Sequence, residues 1–306
     1  MYRTIAIIIF AIGILLLVGG IMHLTPGTIQ IGVVAAFCGG LLFGLSFIPR
    51  PAVAPGAPPP LSPAERITSV FYDPAPVFQN LRVYPRWVGA FLIIALCSSL
   101  YTVAFTQRLT PEAIASITAD KVIDSGFIPQ DKQAEFKQQQ IDAAKSPVMR
   151  VSTVISQIAG IFVFMVIFAG LYMLGILMFG GRINFWQALA VAIYGSLPPI
   201  FLERLLSLVL LYVKAPDDID PIKGQQGLVR DNLGILFNSA DHPYLFVFGS
   251  FIGIITIYGL WLKATGLHNT GERVSKGAAW TIILILWGIG LLLGLASAAL
   301  FPSFFK

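Results

Sequence analysis

Seven stretches of the chain are apolar for about twenty residues, the length a helix needs to cross the ~30 Å hydrocarbon core of a bilayer. They are Thr4–Met22, Thr28–Ile48, Trp87–Thr106, Val151–Phe179, Phe185–Val213, Tyr244–Leu262 and Gly277–Leu300. A continuous apolar run of this length must pair its backbone groups within itself when lipid surrounds it, so it folds as a helix. Charged residues are 11% of the chain, against about 25% in a water-soluble domain. The fold class is therefore an all-α membrane protein with seven transmembrane helices. Residues 1–48 form an N-terminal hairpin, 49–62 a proline-rich linker, and 63–306 a five-span domain with a polar helical insertion at 108–150.

The first run reads as an uncleaved anchor, because no small-x-small cleavage site follows it. In the second, Gly40 and Gly44 are four residues apart, a spacing that lets helix backbones approach closely. Arg50–Pro63 (RPAVAPGAPPPLSP) has the composition of an extended polyproline II spacer. Cys38 and Cys97 both lie in apolar runs, where cysteine acts as a small hydrophobe.

The stretch Leu61–Trp87 predicts two short amphipathic helices before the first span of the large domain. Ser62-Pro63-Ala64-Glu65 combines a capping serine, proline at the first helical position and glutamate three after the serine. Ala64, Ile67, Val70 and Phe71 then share one face; after Asp73-Pro74 restarts the helix, Val77, Phe78 and Leu81 share another. Helices this short need their apolar faces covered. The bilayer interface is the expected cover, with Ile67, Val70, Phe71, Phe78 and Leu81 as apolar anchors. Arg66, Arg82 and Arg86 would face anionic headgroups, and Trp87 would stand in the aromatic belt. The protein's own spans are the other candidate cover.

Further along, Arg108–Arg150 carries six basic and six acidic residues in two polar helical patterns, a solvated hairpin. The fifth run contains Tyr194-Gly195-Ser196-Leu197-Pro198-Pro199, and two consecutive prolines must kink or break a helix. Glu203 and Arg204 follow within the same run. As sequence neighbours they point about 100° apart and each needs its own partner or water. They are the candidate intramembrane polar site, unless they sit at the outer interface. Sorted across seven spans, the Lys/Arg bias of the short loops places the N-terminus inside and the C-terminus outside.

The order of parts resembles the Yip family, the Ypt/Rab-interacting integral membrane proteins, in its widespread bacterial form. Three features carry the likeness: Glu65–Trp87 (ERITSVFYDPAPVFQNLRVYPRW), Ala192–Pro198 (AIYGSLP), and five spans ending in two closely joined helices. The resemblance covers about Pro63–Phe301 and leaves the first two spans as an addition. It implies the fold and residence in a membrane, here a bacterial cytoplasmic (inner) membrane, rather than an activity.

No His-Glu-x-x-His, Gly-x-Ser-x-Gly or Cys-x-x-Cys motif is present. Gly266–Gly271 begins like a phosphate loop, but Glu272 stands where lysine is required. His23, His242 and His268 lie near different segment ends, and Asp217-Asp218-Ile219-Asp220 lacks the ligand ladder of an EF-hand. The expectation is a non-catalytic protein with no cofactor, no metal and no nucleic-acid partner. It binds or organises lipid, membrane or cytoplasmic proteins, or copies of itself at the cytoplasmic face. The alternative is a small transporter or channel built on the broken fifth segment with Glu203 and Arg204.

Overall fold

The computed structural model describes residues 2–25, 27–53, 55–126 and 128–301. Pro26 of the first turn, Ala54 of the linker and Phe127 of the polar insertion lie outside the described residues. The helices are α1 (Tyr2–Ile21), α2 (Ile29–Leu45), α3 (Pro63–Ser69), α4 (Pro74–Val83), α5 (Val88–Leu109), α6 (Pro111–Asp124) and α7 (Gln133–Lys145). They continue as α8 (Pro147–Met178), α9 (Phe185–Tyr194), α10 (Leu197–Val213), α11 (Pro243–Ser250), α12 (Ile254–Thr270) and α13 (Lys276–Leu300). No strand forms among the described residues, which hold two isolated bridges.

Five stretches are long and apolar enough to cross a membrane: Arg3–Ile21, Val88–Leu109, Pro147–Met178, Phe185–Val213 and Lys276–Leu300. The second expected run is apolar but only 17 residues long as helix α2. The sixth, Tyr244–Leu262, is not one helix. It breaks at Phe251–Gly253 into α11 and α12, and α12 continues to Thr270 through residues that read as a loop. The cause of the extension is packing: Leu262, Ala264, Gly266, Leu267 and Thr270 are buried, so the helical face persists beyond the apolar run.

Contacts sort the loops to two ends. At one end, Asn184 Nδ2 donates to Pro49 O (2.9 Å), Trp186 Nε1 to Ile48 O (3.0 Å) and Gln187 Nε2 to Arg82 O (2.6 Å). The Arg182 and Glu272 backbones pair there too. At the other end, Gln30 meets Ser156 at 3.4 Å and Arg108 donates to Lys214 O at 2.8 Å. The polar α6–α7 hairpin lies at this second end, tied by Lys137–Asp120 at 2.7 Å.

The α1–α2 hairpin closes on glycines other than Gly40 and Gly44. A Cβ added to Gly13 would strike the Ala36 backbone, one on Gly32 the Leu17 backbone, and one on Gly39 would fall 2.5 Å from Phe10 N. Gly44 has nothing within 4 Å, and Gly40 meets only the Phe10 ring at 3.8 Å. The seam therefore runs through Gly32, Ala36 and Gly39, a small-residue stripe of helical period.

Candidate functional site

The helix α3 starts as its residues dictate. Glu65 N donates to Ser62 Oγ (3.2 Å) and Ser62 N to Glu65 Oε2 (2.8 Å). The Ser62 hydroxyl, and then its backbone N–H, hold the exposed Glu65 carboxyl below the usual carboxylate range. Asp73 occupies the capping position of α4 without a side-chain bond, ahead of Pro74.

The faces of α3 and α4 are closed by protein, not left for lipid, which corrects the anchoring role expected of their residues. Val70, Phe78 and Leu81 are fully buried in the main core, and Ile67 and Phe71 pack against it. The Phe78 ring fills the place left by Gly266 beside Val191. Tyr258 donates to Phe71 O (2.8 Å) and Thr270 to Phe78 O (3.2 Å), so α12 holds both short helices by their backbones. Trp87 is also inside, stacked on Phe162 at 5.7 Å rather than in an aromatic belt.

The polar sides deviate as well. Asn80, a polar residue of α4, is buried, and its amide accepts from Leu61 N and donates to Pro59 O, both at 3.4 Å. With Tyr84 donating to Pro58 O (3.2 Å), this lays the end of the linker along α4. Arg66 is 3% exposed, and its Nε and Nη1 have no hydrogen-bond partner among the described residues. It stands within electrostatic reach of Tyr194. Arg82 and Arg86 remain exposed, Arg82 paired with Glu272 at 3.3 Å.

The helix break falls where the prolines require it. Pro198 and Pro199 cannot donate to the carbonyls of Tyr194 and Gly195, so α9 ends at Tyr194 and α10 restarts at Leu197 with the prolines in its first turn. Every residue from Ala188 to Pro199 is buried, as expected of a helix that is apolar all round. Tyr194, 1% exposed, donates to Arg86 O at 3.3 Å and ties this central element to the lead-in of α5.

Glu203 and Arg204 diverge, as their spacing requires. Arg204 donates from Nη1 to Gln226 O in the 214–242 loop at 2.7 Å and lies over the Tyr101 ring at 5.2 Å, while its buried Nε has no hydrogen-bond partner among the described residues. That loop packs back on the bundle: Tyr101 donates to Gly224 O (2.5 Å), Leu228 N to Ser207 Oγ (2.9 Å), and Ile255 N at the start of α12 to Asp231 Oδ2 (2.7 Å). Glu203 instead lines a cavity of about 500 Å³ between α8, the α9–α10 break, the α11–α12 break and α13.

The cavity also holds Lys263, the residue just past the end of the sixth apolar run. Half-buried in α12, it crosses between two glycines: a Cβ on Gly195 would lie 2.8 Å from its Cγ, and one on Gly259 3.6 Å from its Nζ. Nζ makes no hydrogen bond or ion pair among the described residues. Phe168, Tyr172, Phe251 and Trp287 give the walls their aromatic character, and Ser196 and Thr256 add hydroxyls. The signal for Lys263 was the 3.6-residue burial pattern running through it, which the end of the apolar run concealed.

A second surface stands out at the end that carries the linker. Arg86, Arg182, Arg273 and Lys276 are exposed there, and Glu272, in the turn before α13, already binds Arg82.

With this geometry in place, comparison with known families gives one match: the model described as Yip1 domain matches residues 68–298. No curated protein and no solved structure matches the chain.

Proposed function

The chain belongs to the Yip1 domain family, and from that we propose that this integral membrane protein is non-catalytic and binds anionic lipid, and through it partners, at its cytoplasmic face. In this reading the chain crosses the bilayer seven times, N-terminus inside and C-terminus outside, with α3 and α4 docked at the inner end. One observation carries it: the exposed cluster of Arg86, Arg182, Arg273 and Lys276 against the single, already paired Glu272 of its turn. Cations at an anionic leaflet gain about 1 kcal/mol each. Three removed together are expected to cost about 3 kcal/mol, roughly a hundredfold. The check is mass spectrometry of lipid that co-purifies after reconstitution into mixed neutral and anionic vesicles. Wild type should be enriched in anionic lipid, and a protein carrying R182Q, R273Q and K276Q should not. Equal lipid profiles for the two would defeat the proposal.

A transporter is the second reading, supported by two interrupted helices, α9–α10 and α11–α12, that meet at one polar-lined cavity. Discontinuous helices of this kind build substrate sites in secondary transporters. Liposomes containing the wild type would show solute flux that Glu203→Gln abolishes; no flux from wild type removes this reading.

A further inference from the structure

We propose that the cavity between α8, the α9–α10 break, the α11–α12 pair and α13 binds an acyl-chain amphiphile whose carboxylate or phosphate head rests on Lys263. The lysine stem passes over Gly195, where a Cβ would fall 2.8 Å from Lys263 Cγ, and Gly259 leaves room beside Pro199 near the ammonium. No carboxylate among the described residues pairs with it. Glu203, on the same cavity, lies against Gly227, whose added Cβ would fall 2.6 Å from Glu203 Oε1, and it borders Arg204 on the helix. A half-buried ammonium with apolar and aromatic surroundings and no carboxylate partner among the described residues suits an anion that the chain itself does not supply.

The rest of the ligand is set by the walls. Phe168, Phe251 and Trp287 line the cavity beyond the ammonium, so an anion with a hydrocarbon chain fits it and a bare inorganic ion does not. The volume, about 500 Å³, falls within the roughly 300–1,000 Å³ of small-molecule sites. The cavity shares no residue with the exposed basic cluster, so this proposal stands or falls apart from the proposed lipid-binding face.

The experiment uses the full chain purified in a neutral detergent and titrated with dibromostearate, whose bromines quench tryptophan at contact. Wild type is expected to show saturable quenching. The largest share of it should vanish in Trp287→Phe, which separates this cavity from the protein's other four tryptophans. Lys263→Met should raise the half-saturating concentration at least tenfold. The methyl ester of the same acid, tested on wild type, should be weaker by at least the same factor, a control that does not depend on a variant folding. Competition by lysophosphatidate more potent than that by stearate would make the head a phosphate, the reverse a carboxylate, and inorganic phosphate should not compete. Quenching that does not saturate, or that is unchanged by Lys263→Met and by esterification, overturns the proposal.

Discussion

Phe78→Ala is expected to destabilise the folded protein by about 3–5 kcal/mol, the cost of emptying a large aromatic site in a close-packed core. Phe78 is 0% exposed, its ring sits on Gly266 and Val191, and its backbone carbonyl is held by Thr270. Denaturant or thermal unfolding in detergent reads the effect directly. Tyr72→Ala provides the contrast: Tyr72 is 74% exposed in the turn between α3 and α4, and a surface change of that kind stays within about 0.5 kcal/mol. Were Phe78 a lipid anchor, its loss would weaken membrane attachment and leave unfolding almost untouched. The measurement therefore decides which surface covers α3 and α4.

Gly32→Leu is expected to cost about 3 kcal/mol or more and to open the α1–α2 hairpin. A Cβ at this position meets the Leu17 backbone, which cannot move aside as a flexible side chain can, so the helices must separate. Gly44→Leu, where nothing lies within 4 Å, should be tolerated within about 0.5 kcal/mol. A cysteine pair across the seam, one residue from each helix, would report the separation as lost cross-linking. Equal behaviour of the two variants would mean the hairpin does not pack through its small-residue stripe.

The parts of the fold that were legible are those where local chemistry decides alone. Pro198 and Pro199 remove donors whatever surrounds them, and the break stands next to them. Ser62 and Glu65 form their capping box within four residues. What the sequence concealed depends on which neighbour arrives. An amphipathic face looks the same whether lipid or α12 covers it, so Phe78 and Leu81 could be identified as apolar anchors but not assigned a partner. Arg66 breaks the rule that a charge seeks water, and no pattern of spacing announces that. Gly32, Ala36 and Gly39 carried the close-packing signal, yet a glycine-rich run offers several such spacings, and only the register of α1 selects one.

The candidate site divides in the same way. Glu203 and Arg204 were visible as charges in an apolar run, and their divergence followed from a helical step of 100°. Lys263 was hidden because hydropathy falls at the end of the sixth run while the buried face of α12 goes on to Thr270. Burial period was a better guide there than mean hydropathy.

The central claim is that α5 carries the chain across the bilayer between the docked α3–α4 platform and the polar α6–α7 hairpin. It is tested most directly by the sidedness of single cysteines in a chain with Cys38→Ser and Cys97→Ser. Tyr72→Cys, Gln140→Cys and Lys276→Cys all replace exposed side chains. In right-side-out vesicles treated with a membrane-impermeant maleimide, Gln140→Cys should react at once, and Tyr72→Cys and Lys276→Cys only after permeabilisation. Tyr72→Cys and Gln140→Cys reacting from the same side would contradict the account.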